Sequence, residues 1–128
     1  MQSEVAFHPS PDKFILPKSN RLTLFQQQYM ISEYSIKLQM EFGSEEIKAI
    51  MGDAPDYSLL AFLHLDTTGK YLFGAEYSYP YVRTKTVGHS SHAAIVGYFS
   101  AAWGLRVGDW NARLGFERVH ATPLVVPA

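Results

Sequence analysis

Leu59-Leu60-Ala61-Phe62-Leu63-His64-Leu65-Asp66-Thr67-Thr68-Gly69-Lys70-Tyr71-Leu72-Phe73-Gly74-Ala75-Glu76-Tyr77-Ser78-Tyr79 is the stretch on which the reading of this 128-residue chain turns. It holds two apolar, β-prone runs, 59–66 and 70–79, separated by Thr67-Thr68-Gly69, whose glycine can take the left-handed conformation of a three-residue hairpin turn. The spacing predicts a hairpin in which Asp66 faces Lys70. Leu65 then pairs with Tyr71, Leu63 with Phe73, Ala61 with Ala75 and Leu59 with Tyr77, an apolar face throughout. The other face holds Leu60, Phe62 and Leu72 beside His64 and Glu76. A sheet face open to water should be polar, so this half-apolar one is expected to be covered, with Leu60, Phe62 and Leu72 forming an interface.

Outward from the hairpin, the periodicity assigns the other elements. Leu22, Phe25, Tyr29 and Met30 follow a Ser19/Asn20 cap at helical spacing, which predicts a helix to about Glu33. Ser35 to Phe42 alternates, with Ile36, Leu38, Met40 and Phe42 on one side, as a half-buried strand does. Gly43 ends it, and Ser44-Glu45-Glu46 is a good start for a short helix over 44–52. Gly52-Asp53-Ala54-Pro55-Asp56 reads as a turn. After Pro80 and a polar loop, Ile95, Val96, Phe99, Ala102 and Trp103 form the stripe of a helix over 91–103 with Gly104 as its C-cap. A strand is expected over 110–119, and a helical turn capped by Asp109 and ended by Gly115 is the alternative for 109–115.

The expected fold is therefore α+β: an antiparallel sheet with helices packed on one face, in the ferredoxin-like βαββαβ order, preceded by an extra N-terminal helix. Residues 1–19, with Pro9, Pro11 and Pro17, are read as an extended arm, against whose body Phe14, Ile15 and Leu16 can lie. Residues 20–122 form the single domain and 123–128 a tail. No internal repeat is present.

Composition narrows the function classes. Hydrophobic residues make up 47% and charged residues 18%, so the chain is expected to fold rather than stay disordered. Cysteine is absent, which removes disulfides, thiolate metal sites and cysteine nucleophiles, and fits a reducing, cytoplasmic setting. The N-terminal sequence has no signal-peptide pattern, and no stretch is long enough to span a membrane. The formal net charge of −1 argues against a nucleic-acid partner, whose binding rests on neutralised phosphates. Charge is uneven, with 5 Lys/Arg against 9 Asp/Glu in residues 1–66 and 6 against 3 in residues 67–128.

Tyr71, Phe73, Tyr77, Tyr79 and Tyr81 make an aromatic row that runs on into Arg83 and Lys85. The first three belong to the expected core face. Tyr79, Tyr81 and Arg83 extend past the hairpin as candidates to line a pocket mouth, with His64 and Glu76 as further ligand-binding candidates. His89-Ser90-Ser91-His92 places two histidines three apart, the spacing of paired metal ligands or of an acid/base site, but no third ligand is indicated, and neither metal nor cofactor is expected. Leu114-Gly115-Phe116-Glu117-Arg118-Val119 resembles the Leu-Gly-Phe segment near the end of many acetyltransferases and glyoxalase-like domains. The glycine-rich cofactor turn of acetyltransferases is missing, and no family follows from six residues.

Together these features lead to an expected non-catalytic module that binds a small molecule or a protein and self-associates. The alternative is a small hydrolase, lyase or isomerase that uses His64 or His89/His92.

Overall fold

The computed structural model describes residue 6 and residues 14–75, 80–88 and 91–128. Helix α1 is Leu24–Phe42. Its start is a capping box: the Gln26 N–H donates to Thr23 Oγ1 at 3.2 Å and the Thr23 N–H donates to Gln26 Oε1 at 2.9 Å. Nothing between Glu33 and Phe42 breaks a helix, so the predicted strand 35–42 is instead its second half. The helix stops at Gly43, whose φ of 60° is the left-handed cap that glycine supplies without strain. Leu24, Gln27, Ile31 and Ser35 are its buried side.

The predicted helix 44–52 is instead strand β1, Ile47–Ile50. Ser44 serves a tight turn, its Oγ accepting from the Glu46 N–H, and starts no helix. Polar side chains of α1 complete the edge of β1. Ser35 Oγ accepts from the Ala49 N–H at 2.8 Å, and Gln39 Nε2 donates to the Ile47 carbonyl at 2.8 Å.

The predicted hairpin does not form. Residues 54–68 are helix α2, Ala54–Thr68, with Pro55 in its first turn. The Asp56 carboxylate accepts from the Asp53 N–H at 2.9 Å, and Thr86 Oγ1 accepts from the Ala54 N–H at 2.8 Å. Two of the N–H groups that a helix start leaves open are thus satisfied by side chains. Gly69, read from sequence as a hairpin turn, is the C-cap at φ 73°. Tyr57 and Ala61 face inward one turn apart. Tyr71 to Ala75 form an irregular connection that buries Leu72 and Phe73, and the expected strand residues 76–79 lie outside the described residues.

Strands β2 (Tyr81–Val87), β3 (His92–Ser100) and β4 (Gly104–Asn111) form an antiparallel meander, with β5 (Val119–His120) parallel to β2 at the far edge. The predicted helix 91–103 is therefore a strand and a turn. Gly104, expected as a helix cap, is the left-handed residue of the β3–β4 turn at φ 71°. The predicted strand 110–119 ends at Asn111 and begins six residues earlier. Gly97 lies where a Cβ would run into the Pro80 carbonyl, which allows β2 and β3 to approach closely. Strand β6, Leu124–Pro127, pairs with β1 in a separate two-stranded sheet, and Ala6 bridges Val125 on its other side.

The described elements thus make an α+β fold with two sheets, in the order αβαβββββ. The ferredoxin-like order is not theirs. The first core cluster packs Tyr57 and Ala61 of α2 against Val82, Val96, Phe99, Leu72, Phe73 and Leu124, with Phe14 of the N-terminal segment inside it. The second joins Leu24 and Ile31 of α1 to Leu16, Ala49, Met51, Ala93, Ala112 and Ala121. Among the described residues no helix is long and apolar enough to cross a membrane.

Candidate ligand-binding cleft

Side chains alternate across a strand, so the register assigns faces. Tyr81 lies opposite Gly97, which lies opposite Arg106; Arg83 lies opposite Ile95, which lies opposite Gly108; Ala93 lies opposite Trp110. One sheet face therefore carries Tyr81, Arg83, Ile95, Arg106, Gly108 and Trp110. Val82 and Val96 point the other way, into the core beneath α2.

A cleft of about 650 Å³ opens on the first face, lined by Tyr81, Ile95, Arg106, Gly108, Trp110 and Phe116. Arg106 and Trp110 are four residues apart on β4, about 13 Å at the rise of a strand. Gly108 stands between them with no side chain. A Cβ there would meet only Ile95, at 3.7 Å, an ordinary contact, so the fold does not demand glycine at this position.

Each wall is built from rings. Phe116 packs on Trp110 with ring centroids 4.9 Å apart. The turn that carries Phe116 is tied down where its carbonyl accepts from the Arg21 N–H at 2.9 Å and where Arg21 pairs with Glu117 at 3.5 Å. On the other side Tyr81 lies against Tyr98, centroids 5.9 Å apart, and the Arg106 guanidinium sits over the Tyr98 ring at 5.1 Å and the Trp103 ring at 5.7 Å. Two aromatic faces thereby hold a cation at the cleft edge.

Two buried donors here lack acceptors, the indole Nε1 of Trp110 and Nε of Arg83. Arg83 is fully buried. Its terminal nitrogens donate to the carbonyls of Leu22 at 3.3 Å and Leu114 at 2.7 Å, and among the described residues no carboxylate pairs with it. Desolvation pushes its pKa down to about 10. A buried cation without a counter-charge makes this side of the sheet attractive to an anion.

The sequence-predicted site residues disperse. Tyr81 lines the cleft, and Arg83 lies behind its wall rather than at a mouth. Tyr79 and Glu76 lie outside the described residues, as does His89. His64 is on α2, its pKa lowered by burial and then by Lys70. Leu60, Phe62 and Leu72 share no surface: Leu72 is buried in the core, Leu60 packs against it, and Phe62 is half-exposed with its ring edge-on to Phe99. The expected interface of these three therefore has no common face. His92 finds Asp109, Nδ1 to Oδ1 at 3.0 Å, on the sheet face opposite Ile95. Among the described residues no three His, Asp or Glu gather as a metal site would require.

Arg106, Gly108, Trp110 and Phe116 were not singled out as site residues from sequence. The available signal was the alternation of Arg106, Gly108 and Trp110, concealed by reading the preceding residues as a helix. No protein-family model matches the chain, and no curated protein or solved structure matches it either.

Proposed function

We propose that this domain binds a planar, anionic small molecule in the cleft between Arg106 and Trp110. The observation that carries the reading is a cation at the edge of a ring-lined cleft: the Arg106 guanidinium over the Tyr98 and Trp103 rings, with Trp110 and Phe116 across Gly108. A flat ring system fits above Gly108, against Trp110 and Phe116, while its carboxylate or phosphate takes the Arg106 guanidinium. Ligand sites commonly combine apolar walls with a few such polar groups. The role is binding rather than chemistry, and the absence of cysteine fits a cytoplasmic setting.

The test uses 15N-labelled protein titrated with 2-naphthoate and, separately, with uncharged 2-naphthamide. The two indole N–H signals are assigned with Trp103→Phe. The carboxylate should move the Trp110 signal in a saturable way, the amide should bind about tenfold more weakly, and Arg106→Gln should abolish that preference. Equal binding of both probes, or a moving Trp103 signal with a still Trp110, would refute it.

The His92–Asp109 pair supports a second reading, a small hydrolase, lyase or isomerase in which the carboxylate orients the imidazole as a general base. It predicts a turnover lost in both His92→Gln and Asp109→Asn and kept in Arg106→Gln. Loss with Arg106→Gln and not with His92→Gln would exclude it.

A further inference from the structure

Helix α1 carries two apolar stripes. Leu24 and Ile31, flanked by Gln27 and Ser35, face the body. Phe25, Tyr29, Ile36 and Met40 face away, exposed by 67, 66, 58 and 77%, and at 100° per residue they lie within one narrow band about 150° round the helix from the buried side. A helix that packs on its own domain needs the first stripe only. The second requires another explanation.

Its spacing is symmetric. Phe25 and Met40 are equidistant from the midpoint between Ser32 and Glu33, and so are Tyr29 and Ile36. Two copies of the helix laid antiparallel about a two-fold axis at that midpoint would set Phe25 on the partner's Met40 and Tyr29 on the partner's Ile36. No other antiparallel register brings all four into contact, and a parallel pairing would set each residue, Glu33 and Lys37 included, against its own copy along the whole length of the helix. Closed two-fold pairing of this kind is the commonest way in which soluble chains self-associate. The four side chains offer roughly 500 Å² of apolar surface, taking an aromatic as 150–250 Å². That makes an apolar centre for an interface of about 800 Å² per partner, with Gln26, Gln28, Ser32 and Lys37 as its polar rim.

We propose that a second copy of this chain docks on this face, forming an antiparallel α1–α1 dimer. Its location differs from the Leu60–Phe62–Leu72 face expected from sequence, and it is independent of the ligand cleft. Glu33 meets its own copy beside the axis, so the dimer carries one repulsive contact, softened by Lys37 one turn along each helix.

Sedimentation equilibrium on the full chain should report twice the 14.4 kDa monomer mass at micromolar concentration. Tyr29→Glu combined with Ile36→Glu should weaken association by about a hundredfold while circular dichroism stays unchanged, and Glu33→Gln should strengthen it. Leu63→Glu, on the exposed side of α2, should leave it alone. The geometry is read independently in otherwise wild-type protein by spin labels on single cysteines, since the chain has none of its own. At a rise of 1.5 Å per residue and an axial separation of 8–10 Å, a label at Ser32 should see its copy at about 10 Å and one at Glu41 at about 27 Å. A chain that stays monomeric, a dimer lost with Leu63→Glu but kept with the α1 double variant, or equal distances at both labels would each overturn the proposal.

Discussion

Replacing Gly108 by valine separates a cleft held open for a ligand from a gap that the fold requires. The Cβ would sit 3.7 Å from Ile95 Cγ1 and 4.0 Å from its Cδ1, both within ordinary contact, and the two methyls would project into the space between Arg106 and Trp110. Gly108 lies on β4, the edge strand of the four-stranded sheet, with φ outside the left-handed region. The backbone therefore gains from a β-branched residue, whose reduced freedom in the unfolded chain and better strand fit are worth about 0.5–1 kcal/mol. For a domain of this size that is a rise in Tm of about 2–5 °C. Binding of 2-naphthoate should fall at least about tenfold, because the ring must leave the floor of the cleft or lose its contact with Trp110. Scanning calorimetry gives the first quantity and the indole N–H titration the second. A drop in Tm, or a more stable variant that binds the carboxylate as well as before, would refute the placement of the ligand.

The same logic reversed applies to Gly97→Ala, whose Cβ would strike the Pro80 carbonyl; it should cost about 3 kcal/mol or more, read as a lowered urea midpoint. Tyr57→Phe removes a buried hydroxyl that accepts from the Gly52 N–H at 3.0 Å and donates to the Thr122 carbonyl at 2.6 Å, so two buried backbone groups lose a partner and stability should fall by about 2–4 kcal/mol in urea titration. Burial lowers the pKa of His120 below its ordinary 6.5, so on acidification the unfolded chain takes up the proton first. Stability should therefore fall as pH drops through the window just below 6.5, with His64 adding in the same direction, and His120→Gln should flatten the urea midpoint between pH 7 and pH 5.

The α+β composition and the first half of α1 were legible from sequence, and the reasons the rest was not are specific. Leu59 with Leu63 and Ala61 with Leu65 are four apart, a spacing that returns to the same face in a strand and in a helix alike. In a run as apolar as 59–65 the period cannot arbitrate. Gly69 did not arbitrate either, because a left-handed glycine ends a helix as readily as it turns a hairpin. The identical ambiguity acts in reverse at Gly104, which the apolar stripe before it marks as a helix cap and which lies in the β3–β4 turn. The signals that distinguish the two lie at the other end of each element. Asp53, Pro55 and Asp56 form a helix start, with acid, proline and acid at positions that leave N–H groups open, although the same residues have the composition of a turn. Ile95 and Val96 sit among β-prone neighbours with no such start before them.

The site follows from that second ambiguity. While 91–103 reads as a helix, Trp110 and Phe116 fall in the strand expected over 110–119, and Arg106 falls in a connection. Once Trp103 and Gly104 are a turn, β4 begins at Gly104 and every second residue from Arg106 shares a face: a cation, a gap and an indole. Tyr81 and Arg83, singled out from sequence as neighbours of one pocket, do share that face, but burial divides their roles. Tyr81 borders the cleft, and Arg83 lies behind it with both terminal nitrogens committed to carbonyls. It supplies charge without contact, so Arg83→Met should weaken binding of a carboxylate less than Arg106→Gln does while destabilising the fold more, by stranding the carbonyls of Leu22 and Leu114. If the order of those two effects were inverted, Arg83 rather than Arg106 would be the group that meets the ligand.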